Sequence, residues 1–150
     1  MNNTAEDILN TYNLQKQAYI ANPMPSVKYR INNLKNLKNS IISNQEKLVT
    51  AMSYDFGHRS SAESVIADIL PTINSINYHI KNISSWVKPD KRKTGLLLAP
   101  AKINVYYQPL GVIGIIVPWN FPVQMSMAPL IAALSSGNRA MIKMSEYTPS

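Results

Sequence analysis

A chain of 150 residues, 45% of them hydrophobic and 15% charged, is long enough for one domain with its own core and too apolar for a disordered tail. A net charge of +7 would suit an acidic partner, but apart from a cluster at Lys88 to Lys93 the lysines are dispersed. A basic solvated surface is the simpler reading, and no nucleic-acid partner is expected. The lack of cysteine excludes disulfides, zinc–thiolate sites and any cysteine nucleophile within these residues.

Met1 to Asn10 is polar and acidic, unlike a secretory leader. No apolar run approaches the length that spans a bilayer, so the expectation is a cytoplasmic chain with no membrane contact. From Thr4 to about Ala21, apolar residues recur at helical spacing, and Thr4 with Asp7 resembles a capping box. Pro23 and Pro25 end this segment. Ser26 then predicts the cap of one long amphipathic helix, with Val27, Ile31, Leu34, Ile41, Leu48 and Met52 on its stripe and Gly57 as its stop.

Ser60 and Glu63 read as a second capping box. The stripe that follows, Ile66, Ile69, Ile73, Ile76, Ile80 and Ile83, is crossed by Pro71, which predicts a kink near Leu70. Two helices packed on a domain explain the stripe better than a coiled coil. After a basic connector from Trp86 to Lys93, Leu96 to Ala99 and Lys102 to Tyr107 read as two strands split by Pro100. His58 falls at a helix–helix turn and His79 on a helix face away from the isoleucines, so both are expected at the surface rather than as ligands.

The most informative stretch runs from Pro109 to Glu146. Val112 to Val117 is a β-branched run between Gly111 and Pro118, the pattern of a strand buried on both faces. Pro122 is placed to open a helix carrying Val123, Met127, Leu130, Ile131 and Leu134, which Gly137 stops. Ala140 to Lys143 is a second strand. The fold class is therefore α/β, with a βαβ crossover whose parallel strands gather ligands at their carboxyl ends.

PLGVIGIIVPWNFP, the Gly137-Asn138 pair, and Lys143 with Glu146 followed by TP closely resemble the start of the coenzyme-binding domain of aldehyde dehydrogenases. DFGHRS at Asp55 to Ser60 and KINVYYQPLG at Lys102 to Gly111 look like the branch that includes coniferyl aldehyde dehydrogenase. The resemblance holds from about Ser26 onward and covers only the first part of the longer family chain. It implies a truncated Rossmann-like domain, with helices over 1–87, oligomerisation-type strands over 94–108 and the first βαβ unit over 109–150. The catalytic domain would be absent.

The resemblance also assigns roles. The amide of Asn120 can donate to a carbonyl oxygen, and in the family the matching Asn stabilises the oxyanion formed when a thiolate attacks an aldehyde. The Lys and Glu matching Lys143 and Glu146 contact the adenosine ribose. A carboxylate there would repel a 2′-phosphate, which favours NAD over NADP. Ile116, Val117, Pro118 and Trp119 should line the nicotinamide side, mostly through backbone and shape. The family's nucleophilic Cys, its deacylating Glu and its pyrophosphate-binding turn lie in later segments.

Three readings follow. The first is the amino-terminal piece of an NAD-dependent aldehyde dehydrogenase, inactive alone, whose aldehyde substrate (an aromatic one such as coniferaldehyde) requires a complementing chain. The second is a non-catalytic remnant that forms homo-oligomers or binds a partner. The third, a nucleic-acid binder, rests on charge alone and would show steep salt dependence. Few elements are available to cover the strands, so exposed apolar surface is expected. No metal site is expected.

Overall fold

Thr4 caps α1 (Ala5–Ala21) with both halves of the expected box: its hydroxyl accepts from the Asp7 amide, and its own amide donates to the Asp7 carboxylate. The structure is a computed structural model that describes residues 4–150. None of the residues of α1 is buried. The helix is tied to the rest by long-range polar bonds. The Tyr19 hydroxyl donates to the Pro109 carbonyl at 2.9 Å, and Arg139 Nη1 donates to Gln15 Oε1 at 3.1 Å.

The expected long second helix is two helices, α2 (Val27–Ser43) and α3 (Gln45–Phe56). Ser26 caps the first through the Tyr29 amide. At Asn44, the Ser43 hydroxyl donates to the Asn39 carbonyl and Asn44 Nδ2 donates to the Ser40 carbonyl. Short polar side chains that bond to the preceding turn compete with the helix ladder, which is why the break falls here. The apolar stripe survives it: Leu34, Ile41 and Met52 are buried. Gly57 closes α3 at φ +60.

The isoleucine stripe spans α4 (Ser61–Ser64), a π-helical segment (Val65–Ile69) and α5 (Leu70–Trp86). Ser60 caps α4 through the Glu63 amide, but the Glu63 carboxylate faces Arg59 at 3.6 Å, so the second half of the expected box does not form. Pro71 has no amide to continue the ladder, and the Leu70 amide reaches back five residues to the Val65 carbonyl. The extra residue in that turn rotates the face. Ile69, Ile76 and Ile83 are buried, whereas Ile66, expected on the stripe, is exposed and Asp68 points inward.

Asp90–Arg92 (β1) pairs antiparallel with Ile103–Val105 (β2). The strand expected over Leu96 to Ala99 is instead a 3₁₀ turn, Leu96–Leu98, closed by Leu98 N to Gly95 O and Ala99 N to Leu96 O. Gly95 before it and the donorless Pro100 after it favour turning over pairing. The hairpin partner therefore lies earlier, inside the basic connector.

The βαβ unit forms as its pattern predicts. Val112–Ile116 (β3) and Arg139–Lys143 (β4) are parallel, with Val112 opposite Arg139 and Ile116 opposite Lys143. Pro122–Ser135 (α6) crosses between them and packs against α5 and α2. Leu34, Ile41, Met52, Ile69, Ile76, Val123 and Ile131 form the core. Each such side chain contributes about 1.5–3 kcal/mol of burial. Gly137 follows α6 at φ +88, and a Cβ there would lie 2.7 Å from Arg30 Cζ. Arg30 is buried against this end and donates to the Ser135 carbonyl at 3.2 Å and to the Pro25 carbonyl at 2.8 Å. A cation at a helix carboxyl terminus also complements the dipole.

The run of β3 has the pattern of a strand buried on both faces, but few elements cover it, and the exposed apolar surface expected on that ground is present: Ile115 is 6% exposed and Ile116 is 85% exposed. Helix α6 shields one side of the strand pair. Tyr19 and Gln15 of α1 meet only its amino-terminal end, near Pro109, Gly111 and Arg139.

Candidate functional site

The parallel register delivers both strands to one edge. Because Ile116 is opposite Lys143, the turn Val117 to Phe121 and the turn Met144 to Tyr147 leave the sheet side by side. This is the carboxyl end of a parallel pair, where ligands bind in open α/β sheets. The Val117 amide donates to the Lys143 carbonyl at 3.0 Å, which joins the two turns at their base. At the opposite end, Asn138 Oδ1 accepts from the Leu110 and Gly111 amides at 2.6 and 2.9 Å and fixes the start of β3.

Of the residues expected to line a nicotinamide, Ile116, Pro118 and Trp119 are exposed at this edge. Val117 is buried, its side chain pointing into the core. Asn120 is exposed, and its side-chain amide has no partner among the described residues. Its donors are free for a ligand oxygen.

Lys143 and Glu146 form an ion pair at 2.5 Å with both side chains open to solvent. The hydrogen bond from Lys143 holds the Glu146 carboxyl below its ordinary range, so it is an ionised acceptor at neutral pH. A carboxylate with an adjacent ammonium can accept from a vicinal diol while the ammonium donates to it.

Two functional candidates were not singled out by residue in the sequence. Arg59 is buried in the loop between α3 and α4, its guanidinium between the rings of Phe56 and Phe121 at 5.0 and 4.9 Å. Its Nη1 donates to the Asn120 carbonyl at 3.2 Å, and its Nη2 lies 3.2 Å from Asp68 Oδ2. Asp68 is fully buried, and its Oδ1 accepts from the Gln124 amide in the first turn of α6 at 2.8 Å. Burial pushes the Asp68 carboxyl above its ordinary range, against the opposing pull of the Gln124 amide and the Arg59 charge. The signal in the sequence was an acid set within an isoleucine stripe one turn before a proline.

His79 departs from its expected place. It is half-buried, with Nδ1 2.8 Å from Ser135 Oγ and its ring edge-on to Trp86 at 5.0 Å. Burial holds its pKa below the ordinary value. His58 sits in the α3–α4 turn, exposed, at φ +116.

Comparison with known proteins points one way. A model described as the aldehyde dehydrogenase family matches residues 2–150. A probable coniferyl aldehyde dehydrogenase of Pseudomonas aeruginosa is 47% identical over 135 residues, which make up 90% of this chain and 28% of that protein. A substrate-bound Staphylococcus aureus AldH superposes with a TM-score of 0.90 at 31% identity, over 99% of this chain and 31% of its own. PnpE in complex with nicotinamide adenine dinucleotide superposes with a TM-score of 0.83 at 28% identity, over 97% of this chain and 29% of its own. The chain thus spans less than a third of the length of these relatives.

Proposed function

From its membership of the aldehyde dehydrogenase family, to which the chain belongs over residues 2–150, we propose that it supplies part of the site of an NAD-dependent enzyme that oxidises an aldehyde to its acid. Asn120 donates to the oxyanion, and Lys143 and Glu146 hold the adenosine ribose. Ile116, Pro118 and Trp119 shape the nicotinamide side. An aromatic aldehyde such as coniferaldehyde is the proposed substrate, supported by the 47% identity to the Pseudomonas protein. The observation that carries the reading is the pairing of Ile116 with Lys143, which puts the Asn120 turn and the Lys143–Glu146 pair at one strand edge.

These 150 residues contain no cysteine, so a thiolate that attacks the aldehyde comes from outside them. Alone, the chain is expected to bind dinucleotide weakly and to turn over nothing. NAD binding by the purified chain tests this, read by calorimetry beside Lys143→Ala and Glu146→Ala. Saturable binding that each substitution weakens about tenfold, or roughly 1.4 kcal/mol, supports the half-site. No heat of binding up to millimolar NAD sinks it. Glu146 also bears on the choice of cofactor. Its ionised carboxyl disfavours a 2′-phosphate, and Glu146→Gln should narrow the gap between NAD and NADP.

The second reading, a partner-binding or self-associating protein, is favoured by the solvent-exposed Leu96–Leu98 turn beside the β1–β2 hairpin. It predicts a stable oligomer with no NAD dependence.

A further inference from the structure

Two buried charged side chains, Arg59 and Asp68, lie beneath the turn that carries Asn120. Arg59 donates from one nitrogen to the Asn120 carbonyl and sets another 3.2 Å from Asp68 Oδ2, with the Phe56 and Phe121 rings in cation–π range. Asp68 accepts from the Gln124 amide, four residues beyond Asn120, through Oδ1, while its Oδ2 faces Arg59 Nη2 at 3.2 Å as an ion pair without a hydrogen bond. The Asn120 turn is therefore tied on both sides, at its carbonyl and at the first turn of the helix it runs into. Asp68 reaches that position because the π segment before Pro71 rotates it inward. Such segments recur at functional sites, where a regular helix would misdirect a side chain.

A buried ion pair is a poor device for stability alone, because desolvating both charges offsets most of their attraction. It is a good device for geometry. A planar guanidinium can donate from Nη1 to the Asn120 carbonyl while its charge faces the Asp68 carboxylate, a fixed geometry that a lysine ammonium on its flexible stem does not reproduce. We propose that Arg59 is the positioning residue for Asn120, with Asp68 as its anchor, so that the Asn120 amide is held where an oxyanion would develop. The proposal rests on the reading of Asn120 as the oxyanion donor, but its mechanical part stands without it.

The test separates the two. In the chain carrying Trp86→Phe, Trp119 is the sole tryptophan and reports on the turn; hydrogen exchange at Gln124 and Met125, whose amides are bonded to Asp68 and to the Phe121 carbonyl, reports on the backbone. Arg59→Lys keeps the charge beside Asp68 and gives up the planar guanidinium. It should retain most of the thermal stability, yet raise acrylamide quenching of Trp119 about twofold and speed exchange at those amides about tenfold. Asp68→Asn should loosen the same amides, with Gln124 affected most. Ile41→Val, a core change remote in sequence, provides the control: a lowered Tm with the turn unmoved. If Arg59→Lys leaves quenching and exchange at their original values, the clamp is overturned, whatever happens to Tm. If the turn loosens only in proportion to Tm, as in the control, it is overturned equally. NAD titration of the same variants is the separate arm. Failure of the unmodified chain to bind NAD removes the dinucleotide reading, and the exchange result still decides the clamp.

Discussion

Asn138 and Gly137 show how little of a residue's purpose is visible in its neighbours along the chain. In sequence the pair stands out as a stop after a helix and as part of a family resemblance, with no contact attached to either residue. In three dimensions the glycine leaves room for the Arg30 guanidinium, and the asparagine ties the Leu110 and Gly111 amides across 28 and 27 residues. Asn120, Lys143 and Glu146 were singled out through the family resemblance; the apolar run and the proline located only the strand ends that they follow. Arg59 and Asp68 were not, because their meeting depends on packing among three separate elements. His79 offers a test at this scale. Burial depresses its pKa below 6.5, so the unfolded chain takes up the proton first as pH falls. Its contribution to stability is whole above 6.5 and declines as pH drops from there through the depressed value. Thermal melts across that window should show falling Tm, and His79→Gln should flatten the slope. A wild-type slope unchanged by His79→Gln would refute the assignment. Asp68 acts in the opposite sense: its raised pKa means that acidification toward the carboxylate range relieves a penalty, so it cannot account for such a loss.

Among the elements, the βαβ unit and the amphipathic faces of α2, α3 and α5 were readable from period alone, since each buries one stripe. Two departures share a cause. At Asn44 and at Leu96–Leu98, local hydrogen bonding or a missing proline donor outcompetes the pattern of apolar residues, while the kink expected near Leu70 falls there as the π segment Val65–Ile69 and turns Ile66 outward. Burial also ranks the helices. Helix α2 places Leu34 and Ile41 in the core, whereas α1 buries nothing. Loss of the cap by Ser26→Ala is expected to cost about 1 kcal/mol and lower Tm by about 2–4 °C. Thr4→Ala removes an equally well-formed cap, yet should leave the main melt in place and only speed amide exchange in α1. Equal Tm losses from the two substitutions would show α1 to be part of the cooperative unit.

For the whole molecule, the balance of apolar surface decides behaviour in solution. Leu97 is 100% exposed, with Leu96 and Leu98 beside it, and the uncovered side of β3 adds Ile116. Among the described residues β3 and β4 pair only with each other, so each has an outer edge without a partner. Sedimentation velocity should therefore show association that grows with protein concentration, and Leu97→Ser should shift the distribution toward the monomer. A single monomeric species at every concentration would contradict this. The net charge of +7 opposes association, so added salt should promote it. The tether between α1 and β4 carries a further consequence, in time rather than in space. Gln15 and Arg139 are 124 residues apart, so during synthesis α1 is complete long before its docking partner exists. At a typical rate of about 5–20 residues per second, it waits roughly 6 to 25 s, its apolar side chains open to whatever binds nascent chains.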